Sequence, residues 1–131
     1  MRRIREFGRP LLLAALLALA TGGCREREVD VDALLTLRSQ GLLYLQQDLL
    51  AEAEAAFEQL VELAPDDPLG YANLGLTYLR GGRYAEAEEQ LLRARELDPA
   101  NPDIGLMLAR VYAATGRAEL ARATLEELRQ G

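Results

Sequence analysis

Few residue types in this chain are suited to catalysis or metal binding. Its 131 residues include no His and no Lys, a single Ser and a single Cys, Cys24. His is the usual general base and metal ligand near neutral pH, and Lys is the usual Schiff-base residue. A lone thiol forms neither an intrachain disulfide nor a four-ligand zinc site. We therefore expect no enzyme activity, no catalytic residues and no cofactor.

Carboxylates are the remaining candidates, since the chain has 21 Asp and Glu residues. The segment Asp30-Val31-Asp32 lacks the Gly and the distal Glu of a calcium loop, so we expect no metal site. Seven glutamates are interpreted as solvated outer helix faces: Glu52, Glu54, Glu86, Glu88, Glu89, Glu126 and Glu127. The net charge of −6 becomes −9 after residue 23, which argues against nucleic acid as a partner.

The position of Cys24 assigns one specific chemistry to its thiol. Four Arg lie within residues 2–9, ten apolar residues follow at 11–20, and one Thr and two Gly then lead directly into Cys24. A basic stretch, a short apolar run and small residues are typical of a secretory signal, whereas a membrane-spanning helix needs about 20 apolar residues. The junction resembles a bacterial lipoprotein signal, with Thr where the family usually has Leu.

This resemblance implies that residues 1–23 are a signal peptide and that Cys24 becomes the lipidated, palmitate-bearing first residue. Residues 24–33 would then form a charged tether. Acyl chains anchor a protein stably when two or more membrane signals combine. Arg25 stands where lipoproteins retained in the inner membrane commonly have Asp, so the resemblance favours the outer membrane, facing the periplasm. Ordinary export with an unmodified Cys24, or an uncleaved anchor, are the alternatives.

A period of 34 residues organises the rest of the chain. Small, aromatic and apolar residues recur in register: Gly41, Gly75 and Ala109; Tyr44, Tyr78 and Tyr112; Ala53, Ala87 and Ala121; Phe57, Leu91 and Leu125; Pro65 and Pro99. A fixed period with matched residue types indicates stacked copies of one supersecondary unit. Apolar residues three and four apart within each copy predict helices. We expect them near residues 34–46, 50–63, 68–80, 84–97, 103–115 and 118–130.

The second copy carries a recognisable motif. It reads Tyr71-x2-Leu74-Gly75-x2-Tyr78, then Ala87-x3-Leu91, then Pro99. This resembles the tetratricopeptide repeat pattern, W-x2-L-G-x2-Y followed by A-x3-F and P. The resemblance implies an all-α fold, a right-handed superhelical stack (α-solenoid) of three helical hairpins at residues 34–67, 68–101 and 102–131.

The resemblance also implies a concave groove lined by the first helix of each hairpin. The matching positions are Arg38, Leu42, Leu45, Leu69, Asn73, Leu76, Leu79, Arg80, Leu106, Met107 and Arg110. Such a leucine-rich strip suits an apolar helix or extended segment, with Arg pairing acidic groups at its edge. The alternative is that these leucines pack between repeats or against the tether.

Some members of the family grip the C-terminal carboxylate of chaperone peptides in this groove. Arg38 and Asn73 match two positions of that clamp. Leu42, Asp103 and Met107 occupy the other positions and do not match. We therefore expect no clamp of this kind.

These observations predict a membrane-anchored scaffold that binds a protein or peptide partner during the assembly of cell-envelope complexes. The chain is similar to small outer-membrane lipoproteins with such repeats, among them the pilotins of type IV pili. Two alternatives remain: a self-associating structural module, and a non-catalytic regulatory subunit of an envelope enzyme. Self-association would use the C-terminal helix, where we expect Leu120, Leu125 and Leu128 to be partly uncovered.

Overall fold

Six α-helices form the part of the chain that the computed structural model describes, residues 28–131. They are α1 Val31–Gln46, α2 Leu50–Leu63, α3 Pro68–Arg80, α4 Tyr84–Leu97, α5 Pro102–Ala114 and α6 Ala118–Gln130. Each odd-numbered helix pairs with the next to form a hairpin, and each hairpin packs on the following one, which makes an all-α solenoid. None of these described helices is long and apolar enough to cross a membrane. The predicted signal peptide and Cys24 lie outside the described residues.

The helix boundaries follow from capping side chains. Asp67 and Asn101 cap α3 and α5, each followed by Pro at the first helical position, as the sequence indicates. The first helix begins at Val31, three residues before its predicted start, because the Asp30 carboxylate accepts a hydrogen bond from the Ala33 amide at 3.1 Å. The last residues of the expected tether, 31–33, are therefore helical.

The core lies where the two helices of each hairpin cross. Phe57 and Leu91 are fully buried, each opposite a glycine of the first helix. A Cβ at Gly41 would lie 2.5 Å from the Phe57 ring, and one at Gly75 would lie 2.6 Å from Leu91. No side chain fits at either glycine unless its neighbour moves, so these two positions set the close approach of the helices.

An ion pair links each hairpin to the next at equivalent positions. Arg83 contacts Glu54 at 2.8 Å and lies 4.4 Å over the Tyr78 ring. One period later, Arg117 donates to Glu88 at 3.0 Å and lies 4.8 Å over the ring of the equivalent Tyr. Burial and the neighbouring Glu54 carboxylate raise the pKa of Tyr78 to about 12. The interpretation of these two glutamates as solvated was wrong, since the turn of the next hairpin supplies an Arg to each.

The stability of this second linkage depends on pH. Hydrogen bonds from Arg117 lower the pKa of Glu88 in the folded protein. The ion pair therefore stabilises the fold above the unfolded-state value of about 4.3, and this contribution is lost as the pH falls through the lowered folded-state value. We expect Glu88→Gln to lower the urea midpoint at pH 7, and this difference to shrink towards pH 3. The exposed Glu89→Gln controls for the lost charge, and an equal difference at both pH values would contradict the assignment.

Candidate partner-binding groove

A groove runs along α3 and α5 and reaches α6, with a volume of about 680 Å³. Ten of its fourteen lining residues are apolar; the full set is Leu69, Ala72, Asn73, Leu76, Asn101, Asp103, Ile104, Leu106, Met107, Ala109, Arg110, Ala113, Ala121 and Leu125. Residues three and four apart on α3 and on α5 share one helix face, which explains why two parallel stripes form its walls. Leu69 and Leu106 remain 40% and 46% exposed there, so large apolar side chains face the opening.

Six of the eleven positions predicted for the groove lie together in it. They are Leu69, Asn73 and Leu76 on α3, and Leu106, Met107 and Arg110 on α5. Their grouping follows from the 34-residue register, which places equivalent residues of adjacent hairpins side by side. The groove therefore belongs mainly to the second and third hairpins.

Leu45 and Leu79 were wrongly placed in the groove. They are only 4% and 8% exposed and belong to the core. Both belong to the cluster of buried side chains at which the helices pack together. A partner in the groove therefore has no access to them.

The first hairpin contributes little to the groove. Arg38 pairs with Asp67 at 2.5 Å, and Arg80 donates a hydrogen bond to the Leu45 carbonyl oxygen at 2.6 Å. Both arginines therefore hold α1 against the second hairpin. We predicted that they would pair with acidic groups of a partner at the groove edge, but each contacts a residue of the chain itself. Leu42 is 40% exposed but does not line the groove.

The sequence interpretation missed the contribution of α6 to this site. Ala121 and Leu125 line its far end. Leu125 is 46% exposed, whereas its equivalents Phe57 and Leu91 are fully buried. Within residues 28–131, α6 packs against α5 alone, whereas α2 and α4 also pack against the following helix, so no further helix covers this leucine. The exposure expected for it was correct, but it faces the groove.

The charges of the groove are few and are carried by α5. Arg110 and Asp103 are exposed side chains on the lining stripe, and neither forms an ion pair within residues 28–131. No group of three or more acidic or Cys side chains in this part of the chain is placed to hold a metal ion. The arrangement can bury apolar groups and pair with isolated charges, and its lining contains no nucleophile–base pair.

Comparison with protein-family models identifies the repeat that the 34-residue period indicates. Two models described as tetratricopeptide repeat match the chain, one over residues 25–68 and 38–102 and the other over residues 78–130. The chain belongs to the tetratricopeptide repeat (TPR) family. Among curated protein sequences, none matches this TPR protein.

Several solved TPR structures share its fold. The translocator chaperone SycD of Yersinia enterocolitica type III secretion has a TM-score of 0.75 at 21% identity, covering 79% of this chain and 78% of its own. The first TPR of Spaghetti (RPAP3), bound to the HSP90 peptide SRMEEVD, has a TM-score of 0.74 at 22% identity, covering 78% and 81%. The TPR2B domain of yeast Sti1, in complex with pHsp70, scores 0.63 at 21% identity, covering 76% and 86%. At these identities, the similarity establishes the fold.

Proposed function

We propose that this TPR protein is a non-catalytic scaffold that binds an apolar helix or extended segment of a protein partner in the α3–α5 groove. The observation that carries the proposal is the apolar lining of the groove, with Leu69 and Leu106 nearly half exposed. Burying apolar surface contributes about 25 cal/mol per Å², so covering these exposed leucines favours the binding of an apolar segment. Spaghetti bound to the HSP90 peptide SRMEEVD and Sti1 in complex with pHsp70 support this use of the fold.

A clamp for a C-terminal carboxylate fits the groove poorly. Arg38 is engaged by Asp67 and lies outside the lining, which leaves Asn73 as the only matching clamp residue in the groove. Asp103 stands at another clamp position and would repel a carboxylate. We therefore propose recognition through apolar side chains instead of a chain terminus.

An external partner is favoured over another copy of the chain. Adjacent hairpins are joined by an Arg in the turn of one hairpin and a Glu on the second helix of the preceding hairpin, as in the Arg83–Glu54 pair. One period before Arg83 the residue is Leu49, and one period after Glu88 it is Arg122. If the first hairpin of one copy stacked on the third hairpin of another, Leu49 would take the place of the turn Arg and Arg122 the place of the Glu. The ion pair would therefore be missing from that interface.

We further propose that the scaffold is anchored to the bacterial outer membrane through lipid on Cys24 and takes part in assembling an envelope complex, in the manner of pilotins. The support comes from the sequence alone: the basic residues at 2–9, the apolar run 11–20 and the single Cys that follows the small residues 21–23. No described helix could itself span the bilayer.

One crosslinking experiment tests both proposals. A photoreactive residue replaces Leu106 in the groove or Glu89 on the exposed outer face, in cells that are labelled with palmitate. We expect a membrane-bound, labelled protein that captures one discrete partner from position 106 only. Cys24→Ser should lose both the label and membrane association. If it keeps both, the anchor is wrong.

Binding of the captured partner is then measured with purified proteins. Leu106→Asp places a charge in the groove and should weaken binding about tenfold or more. Leu63→Asp is the matched control, because Leu63 is 47% exposed and lies outside the groove. Equal effects of the two substitutions, or capture of the chain's own copies alone, would overturn the proposed groove function.

A further inference from the structure

Arg110 is unusual among the arginines of the described region. Residues 28–131 contain nine Arg, and seven of them have a side-chain ion pair or hydrogen bond within that region. The two without one are Arg95 and Arg110, and only Arg110 lines the groove. The region has a net charge of −10, so carboxylates are abundant, yet none pairs with this exposed guanidinium.

Asp103 is the opposite charge on the same wall. It lies seven residues before Arg110 on α5, which places the two about 10 Å apart along the helix axis, with Met107 between them on the same face. The positive end of the helix offsets about half an elementary charge at Asp103, so its site remains net negative. The wall therefore presents a cation and an anion separated by apolar surface.

We propose that the groove selects segments that carry an acidic residue opposite Arg110 and a basic residue opposite Asp103, with apolar residues between them. The proposal rests on the protein-binding function proposed above. A helical segment satisfies it with charges about seven residues apart, and an extended segment with charges about three residues apart. In either case the acidic residue of the bound segment lies near the C-terminal end of α5 and its basic residue near the N-terminal end. The two charges therefore fix the direction in which the segment lies.

Selection from a displayed library of random 15-residue peptides tests this charge rule. The immobilised target is the full chain, either wild type or carrying Arg110→Glu, Asp103→Lys or Leu76→Asp, with circular dichroism confirming that each is folded. We expect enriched peptides with an acidic and a basic residue flanking apolar ones. Arg110→Glu should remove the acidic preference and leave the basic one, and Asp103→Lys should do the reverse. Individual peptides should bind about two- to fivefold more weakly to the mismatched variant.

The control variant is Arg95→Glu, which changes the same charge at the other unpaired Arg, outside the groove. It should leave the enriched peptides unchanged. Enriched peptides that need Leu76 but show no charge preference, or a preference that Arg110→Glu leaves intact, would overturn the charge rule and leave the groove function standing. No enrichment, or enrichment that Leu76→Asp does not affect, would overturn both.

Discussion

Phe57→Ala should lower the free energy of unfolding by about 3–5 kcal/mol, measured by urea denaturation. The side chain is fully buried between α1 and α2, and its ring fills the space that Gly41 leaves open. Truncation removes the buried apolar surface and leaves a cavity that the two helices close only in part. Leu63→Ala on the same helix is the control; because Leu63 is 47% exposed, it should cost less than about 1 kcal/mol.

A second substitution shows whether the contact with Gly41 is the cause. In the wild type, Gly41→Ala places a Cβ 2.5 Å from the Phe57 ring and should destabilise the hairpin. In Phe57→Ala, the cavity accepts that methyl group and the higher helix propensity of Ala should stabilise the protein by up to about 1 kcal/mol. The effect of Gly41→Ala thus changes sign between the two backgrounds. The same sign in both would contradict close packing at this crossing.

Ala87→Leu is the second large effect, a loss of about 1–3 kcal/mol in the free energy of unfolding through overpacking. Ala87 is fully buried where α3 and α4 cross, and its carbonyl oxygen is 3.3 Å from the position of a Cβ on Gly75. A larger side chain must push α3 away from α4. Since α3 carries one wall of the groove, the substitution should also weaken partner binding.

The control for Ala87→Leu is Ala85→Leu, the same change at an exposed position of the same helix. It should alter stability by no more than about 0.5 kcal/mol, because a surface side chain meets no packed neighbour. Thermal denaturation that is equally affected by both substitutions would mean that the crossing has room for a leucine, which would contradict close packing of α3 on α4 at Ala87.

Much of this architecture is readable from the residues themselves. The 34-residue period predicts six helices, and the bounds of α2, α3, α4 and α6 are confirmed. Capping by Asp67 and Asn101 is local, since each side chain bonds an amide two residues away. The register likewise brings Leu76 and Met107 into one groove. These predictions succeed because they depend on contacts within one helix, or on a displacement that every repeat shares.

What only the tertiary structure decided lies at the boundaries between hairpins. Leu45 and Leu79 share the spacing of groove residues, yet they are buried in the core where the helices pack together. Arg38 reaches Asp67, 29 residues away, and Arg80 reaches the Leu45 carbonyl oxygen, 35 residues away. A periodic pattern determines which residues lie near a helix face. The rotation of neighbouring helices and the reach of long side chains decide which of those residues are buried, which are ion-paired and which remain open to a partner.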